Sequence, residues 1–303
     1  MEVEYLWARN CFRELCVCWM GTLVVASWLK NKEVQESMAT KLYNATVVGK
    51  ITVTPDLMIF RVDTDEAREE FEAGQNLLLG LYGYEKRSSN SDPELVPAEG
   101  EKLIQRPYSI ASAKTETRQL EFYISQVKSG QLTSRLFNLN VGDRVYVGTK
   151  ISGIFRLDET PDGSDIVMVA TGTGIAPYIS FLRSHIVERP ESKMVVIQGA
   201  AHRWDLGYSS ELTFLEKSFA NFFYVPTLTD ADDRWDGYRL CIEDLLRKDI
   251  LQNEFNITPD PERTHFFVSG QPEMVGRVSE WLHDFGYTRH HPDEPGELYI
   301  EEF

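Results

Sequence analysis

Residues 165–188 read DIVMVATGTGIAPYISFLRSHIVE, and three kinds of local pattern follow one another in that stretch. Ile166 to Ala170 is an unbroken apolar run, the mark of a strand buried on both faces. Thr171 to Gly174 makes a turn in which Gly172 and Gly174 let the backbone approach a ligand closely. Pro177 then suits the first turn of a helix continued by Tyr178 to Glu188. The free N–H groups of such a helix start are worth about 0.3–1 kcal/mol toward an anion. The spacing is not the full G-x-G-x-x-G of dinucleotide sites, but strand, glycine turn and helix is the context that such a site requires.

The same grammar continues downstream. KMVVIQG (193–199), NFFYVPTLT (221–229) and THFFVSG (264–270) read as further buried strands. LTFLEKSF (212–219), IEDLLRKDIL (242–251) and PEMVGRVSEWLHDFG (272–286) read as helices between and after them. This alternation predicts a doubly wound parallel α/β sheet over residues 159–303. Upstream the pattern is different. TVVGKITV (46–53), LMIFRVDT (57–64), QNLLLGLY (75–82), RPYSIAS (106–112), LEFYISQV (120–127) and DRVYVGTKISGIF (143–155) are short β-prone runs between turn residues. They predict an antiparallel, Greek-key-like β-barrel over 42–158. In LEFYISQV, Leu120, Phe122 and Ile124 should face one way and Glu121, Tyr123 and Ser125 the other. Residues 85–102 read as a polar surface loop.

Residues 1–41 stand apart as an N-terminal extension. Leu15–Leu29 is uncharged, yet 15 helical residues at about 1.5 Å each reach about 22 Å, short of a roughly 30 Å hydrocarbon core. Glu2, Glu4 and Glu14 sit where a signal peptide would be basic. Met38 opens what reads as the start of a folded domain, so an upstream translated extension is preferred to an interfacial anchor. A soluble, cytoplasmic, monomeric protein without firm membrane association is expected.

Composition narrows the function. The formal charge of −16 argues against nucleic acid as the main partner, because phosphate backbones want Lys and Arg in excess. Cys11, Cys16, Cys18 and Cys241 supply neither a disulfide framework nor a four-cysteine cluster or zinc site, and no metal site is expected. The acidity is uneven: residues 42–158 carry 14 basic and 16 acidic side chains, residues 159–303 carry 12 and 26. An acidic protein partner would therefore approach the barrel, through Lys128, Arg135, Arg144 or Lys150.

Candidate chemistry concentrates in two motifs besides TGTGIAP. In RPYS, Pro107 forces Arg106 into extended backbone. Arg106 and Tyr108 then share one strand face and Ser109 takes the other, a cation able to pair with phosphate beside an aromatic stacker. KSGQLTSRL (128–136) offers a second anion cradle, with Thr133 and Ser134 hydroxyls at a helix start.

The order of these parts, a barrel, RPYSIAS, GQLTS, VATGTGIAP, VSGQPEMV and a terminal aromatic, resembles the ferredoxin–NADP reductase family, most closely the bacterial ferredoxin/flavodoxin–NADP reductases, over residues 42–303. The resemblance implies an FAD-binding barrel followed by an NADP-binding domain, hydride exchange between nicotinamide and flavin, and ferredoxin or flavodoxin as redox partner. It implies that Arg106 holds the pyrophosphate, Tyr108 covers the flavin and Ser109 lies near its reacting nitrogen. Tyr123, Ile124, Ser125 and Gln126, with Gln131, Leu132 and Thr133, match the segments holding the rest of FAD. Gly172, Thr173, Gly174 and Pro177 match the turn between the two cofactors, and Ser269 and Gly270 the strand end where the family usually has Cys in place of Ser269. In the closing IEEF, Glu301 corresponds to a proton-relay carboxylate and Phe303 to the ring that the nicotinamide displaces.

Nucleotide choice is the open point. Arg203, Thr229, Asp230, Arg234, Tyr238 and Arg239 fall where the family reads the adenosine ribose. Arg234 and Arg239 could clamp a 2′-phosphate, giving NADPH. Asp230 would repel one and accept from a free ribose hydroxyl, giving NADH. Two further readings stand beside the first: an NADH-dependent reductase of the oxygenase or cytochrome b5 type, and a non-catalytic electron-transfer subunit of a larger complex.

Overall fold

A computed structural model describes residues 42–303; Cys11, Cys16, Cys18, Leu15–Leu29 and Met38 lie outside the described residues. The β-prone runs form β1 (Ala45–Thr54), β2 (Leu57–Thr64), β3 (Asn76–Tyr82), β4 (Leu103–Ser109), β5 (Gln119–Ser125) and β6 (Arg144–Val147). They build one antiparallel sheet in the order β4-β3-β6-β1-β2-β5. Val47, Phe60, Leu79, Phe122, Ile124 and Val145 fill its interior and are fully buried. DRVYVGTKISGIF pairs over only its first part, and Ser152 returns as a single bridge to Asn76.

The order leaves β4 and β5 as the two edges, meeting at the bridge Ile110↔Phe122. An edge strand carries unpaired backbone donors and acceptors. The barrel therefore has one open seam, and RPYS lies on one side of it and EFYIS on the other.

Beyond the barrel, β7 (Asp165–Thr171), β8 (Met194–Ala200), β9 (Phe222–Leu228), β10 (Thr264–Gly270) and β11 (Leu298–Glu302) form a wholly parallel sheet in the order β11-β10-β7-β8-β9. After α1 (Thr133–Leu136) in the barrel, the helices are α2 (Ala176–His185), α3 (Ser209–Ser218), α4 (Ile242–Leu246), α5 (Ile250–Phe255) and α6 (Pro272–His283). The continuous helix expected over 242–251 is broken by Asp249, whose φ of 56° no helix accommodates. β11 is an addition: the acidic tail is a strand in register with β10, Ser269 opposite Glu301.

The barrel and the parallel sheet belong to one compact unit, residues 45–303. Leu57, Tyr123 and Phe155 of the first pack with Tyr178, Phe181 and Phe267 of the second. Glu121 and Tyr123, on the face of β5 opposite Phe122, are 4% and 3% exposed because the α/β part covers them. The loop after β3 is pinned as well: Arg87 donates to Ser134 Oγ (3.1 Å) and to the Lys128 carbonyl (2.8 Å), and Glu94 pairs with Arg135. Arg135 is 4% exposed and donates to the Gly83 carbonyl, so it is withdrawn from the docking residues expected above. Arg144 is taken up by Asp65. No helix among the described residues is long and apolar enough to cross a membrane.

Candidate active site

Ligand crevices in open parallel sheets form beyond the carboxyl ends of the strands. Two clefts lie there, and Ser125 at the end of β5 lines both. The first, about 380 Å³, sits at the seam; Tyr108, Ser109, Tyr123 and Thr133 reach it from the barrel, and Thr173, Glu301 and Phe303 from the α/β part. The second, about 550 Å³, runs over Thr171, Gly172, Gly199 and Thr229.

Tyr108 reaches the seam as expected, and burial pushes its hydroxyl well above the usual phenol range. Its ring stacks on no other aromatic among the described residues. Ser109, expected on the opposite face, lines the same cleft because β4 ends there, and its Oγ donates to Glu301 Oε2 at 3.1 Å. Burial raises the Glu301 carboxyl above the ordinary range and the Ser109 bond only partly offsets this. A carboxyl of raised pKa accepting from a hydroxyl, both facing one cleft, is a group that can hold a proton and release it. Phe303 is 57% exposed, its N–H donating to the Gly270 carbonyl (3.3 Å), so the last ring stands over the cleft rather than in the core.

Gly174 and Gly270, beside the second cleft, stand where side chains do not fit. A Cβ on Gly174 would lie 2.3 Å from the Ser269 carbonyl oxygen, and one on Gly270, at φ +142°, 2.2 Å from Thr171 Oγ1. The turn after β7 therefore rests directly on the end of β10, and Thr171 Oγ1 accepts from the Gln271 N–H (3.1 Å). Gly174→Ala is expected to cost about 1–3 kcal/mol, the usual penalty for overpacking against backbone; urea denaturation of the full chain reads it, and an unchanged midpoint would show that the turn can move.

Other expected site residues are placed differently. Arg106 is exposed at the seam, its Nη1 on the Gln105 carbonyl (2.7 Å). Ile124 and Leu132 are buried in the core. Gln126 turns away from the cleft onto Ser88 and Ser91, and Gln131 onto the Val96 carbonyl. The Thr133 hydroxyl bonds the Val127 backbone, and that of Ser134 the Gly130 carbonyl, so the second anion cradle uses its hydroxyls to hold its own loop. Pro177 is buried at the start of α2. Ser269 is fully buried, its Oγ without a partner.

At the nucleotide edge, Arg239 donates to the carbonyls of Ala231, Asp232 and Trp235 and so is held on its own loop. Arg234 is exposed. Arg203 lines a separate pocket with Trp235, and the Tyr238 hydroxyl, pushed up to about 12 by burial and by Glu254, donates to that carboxylate. Asp230 meets His202, which sequence reading left without a role.

The site fits a flavin dinucleotide on its own features. The seam offers the Tyr108 ring, the Ser109 and Ser125 hydroxyls and an exposed guanidinium at Arg106. The second cleft, with its glycine turn and a helix start, fits a nicotinamide dinucleotide.

Fold and site together define a two-domain oxidoreductase built to bring two such cofactors together. Residues 95–152 match the oxidoreductase FAD-binding domain and residues 168–280 the oxidoreductase NAD-binding domain. The flavodoxin/ferredoxin–NADP reductase of Buchnera aphidicola subsp. Baizongia pistaciae is 30% identical over 246 residues, 81% of this chain and 92% of the relative. The ferredoxin–NADP reductase of Azotobacter vinelandii is 28% identical over 284 residues, 90% and 98% of the two chains. Among solved structures, a ferredoxin NADP+ reductase from Neisseria gonorrhoeae with bound FAD and NADP has a TM-score of 0.73 and 27% identity, covering 86% of this chain and 98% of that one. The chain belongs to the flavodoxin/ferredoxin–NADP reductase family. It is an FAD- and NAD(P)-binding oxidoreductase.

Proposed function

We propose that this chain takes a hydride from NADPH onto FAD and hands the electrons on singly to ferredoxin or flavodoxin. The carrying observation is the convergence of Ser109 and Glu301 in one cleft, 3.1 Å apart, one from the barrel's edge strand and one from the last strand of the parallel sheet. FAD, when bound, supplies the chemistry that joins a two-electron donor to a one-electron acceptor.

The residues then have separable tasks. Arg106 neutralises the diphosphate, and Tyr108 holds one face of the ring system. Thr173 and the backbone of Gly172 orient the nicotinamide end at the boundary of the two clefts. Phe303 covers that position and excludes water until a ring replaces it. Ser109 Oγ and the Glu301 carboxyl hold a proton beside the cleft and exchange it with solvent.

The carrier docks on the barrel side. Lys150 is exposed and lies two residues from Ser152, which bridges Asn76 on the cleft wall. Lys128 is exposed too, but Asp56 sits 3.1 Å from its ammonium. With the FAD-loaded full chain, NADPH is expected to reduce flavodoxin or ferredoxin at low salt. Lys150→Glu should slow this about tenfold, in the range of electrostatic steering, with dye reduction as internal reference. Dye reduction without reduction of either carrier in the wild type would refute the proposed partner.

A further inference from the structure

His290 is 7% exposed, although Thr288, Arg289 and His291 around it are all exposed. A polar ring withdrawn from water between exposed neighbours is held there by its contacts. It lies flat on the Tyr299 ring, at 4.3 Å and 18°, and Phe267 stacks on Tyr299 in turn at 4.3 Å and 10°. Both ring nitrogens meet oxygen: Nε2 lies 2.9 Å from Glu159 Oε2 and Nδ1 3.2 Å from the Gly296 carbonyl oxygen. The His290 backbone N–H donates to the Leu298 carbonyl (2.8 Å). Glu159 belongs to the segment between β6 and β7 that joins the barrel to the parallel sheet, and Arg156 of that segment lies 3.6 Å from it. His290 therefore fastens the start of β11 to the joining segment.

β11 needs such a fastening. It has five residues at the edge of the sheet, and past the bridge from Arg289 to Leu298 its strand pairing among the described residues is to β10 alone. A short strand held on one side opens readily. Tyr299 and Glu301 are two residues apart and so share one face of the strand. A ring clamped at Tyr299 thereby sets where the Glu301 carboxyl stands against Ser109 Oγ, 3.1 Å away. We propose that His290 is a positioning residue: stacked on Tyr299 and braced on Glu159, it holds β11 so that Glu301 meets Ser109. This rests on the reading of Glu301 and Ser109 as the proton-holding pair and adds the side chain that aligns them.

Three substitutions in the FAD-loaded full chain test it. His290→Leu and His290→Gln both remove the stacked ring, one with an apolar and one with a polar side chain, so a folding defect peculiar to either does not decide the result. His290→Phe keeps the stack and gives up Glu159. Without turnover, hydrogen exchange of the 298–303 amides should quicken about tenfold in His290→Leu and His290→Gln and stay near wild type in His290→Phe. In NADPH-driven dye reduction the first two should lower kcat about tenfold with KM little changed, less than the on the order of 100-fold that a 1 Å misplacement can remove. His290→Phe should restore most of that rate. Added to Glu301→Gln, His290→Leu should lower kcat no further, because the two residues act through one group. Exchange unmoved by loss of the ring, or a rate loss that adds in full to that of Glu301→Gln, overturns the proposal and leaves the proton pair intact. Wild-type turnover in Glu301→Gln overturns the proton pair itself.

Discussion

Glu301→Gln is expected to lower NADPH-driven turnover about a hundredfold, the lower range of what a positioned acid or base contributes. The substitution keeps the shape and a partner for Ser109 Oγ and removes the titrating proton. The two proteins should differ most in their dependence on pH. In the wild type, burial holds the carboxyl neutral above the usual range, so proton donation is available at low pH and fades as pH rises through the raised value. That limb should be missing from the profile of the Gln variant. Stability carries the same sign: a carboxyl whose folded value is raised contributes fully below its unfolded value and loses that contribution as pH rises through the folded one. Glu301→Gln should therefore melt like the wild type at acid pH and no lower, or higher, at alkaline pH. A full pH limb surviving in the variant would assign the proton to another group.

The same residue shows where the sequence was readable and where it was not. Ile166–Ala170, the glycine turn and α2 were legible because a buried parallel strand is apolar throughout and the turn has glycines where backbone meets backbone. LYIEE was not legible as a strand. Its pattern is short and acidic, and β11 exists because β10 offers an edge and because Tyr299 stacks between Phe267 and His290, at 4.3 Å from each. β5 was legible as an alternating strand, but alternation does not show that the α/β part buries its second face as well. The arginines show the limit most plainly. Arg135 and Arg239 look free in a list of charges, and both point at carbonyls of their own neighbourhood, which only the folded loops reveal.

β5 leads to the last prediction, which concerns how the two parts are held at the cleft. Glu121, from the barrel, receives Arg183 Nη1 (2.9 Å) of α2 and the Tyr208 hydroxyl (2.8 Å), together with Arg61 of β2. Arg183 continues the chain of contacts to both oxygens of Glu211 (2.8 Å each) and lies 5.8 Å from the Tyr208 ring centroid. Burial alone would push the Glu121 carboxyl up; Arg183, with Arg61 and Tyr208, outweighs it and holds the carboxyl below the usual range. The depressed value means that this stabilisation is present above the unfolded carboxylate pKa and lost as pH falls through the folded one. Glu121→Ala should cost about 3 kcal/mol, because the buried Tyr208 hydroxyl loses its acceptor and Arg183 loses one of its two carboxylates. Replacing Glu121, Arg183 and Tyr208 together by Leu, Met and Phe should recover most of that loss, since apolar packing avoids desolvating charge. The cluster also sets register: β5 runs on to Tyr123 and Ser125, and α2 begins at Ala176, all of them on the seam cleft. Glu121→Ala should therefore slow flavin reduction even where the chain remains folded, and the triple variant should restore stability further than rate. If denaturation showed a loss below about 1 kcal/mol, the cluster would be behaving as a solvated surface pair, and the alignment of the two parts would have to come from the aromatic packing of Phe155, Phe181 and Phe267 instead.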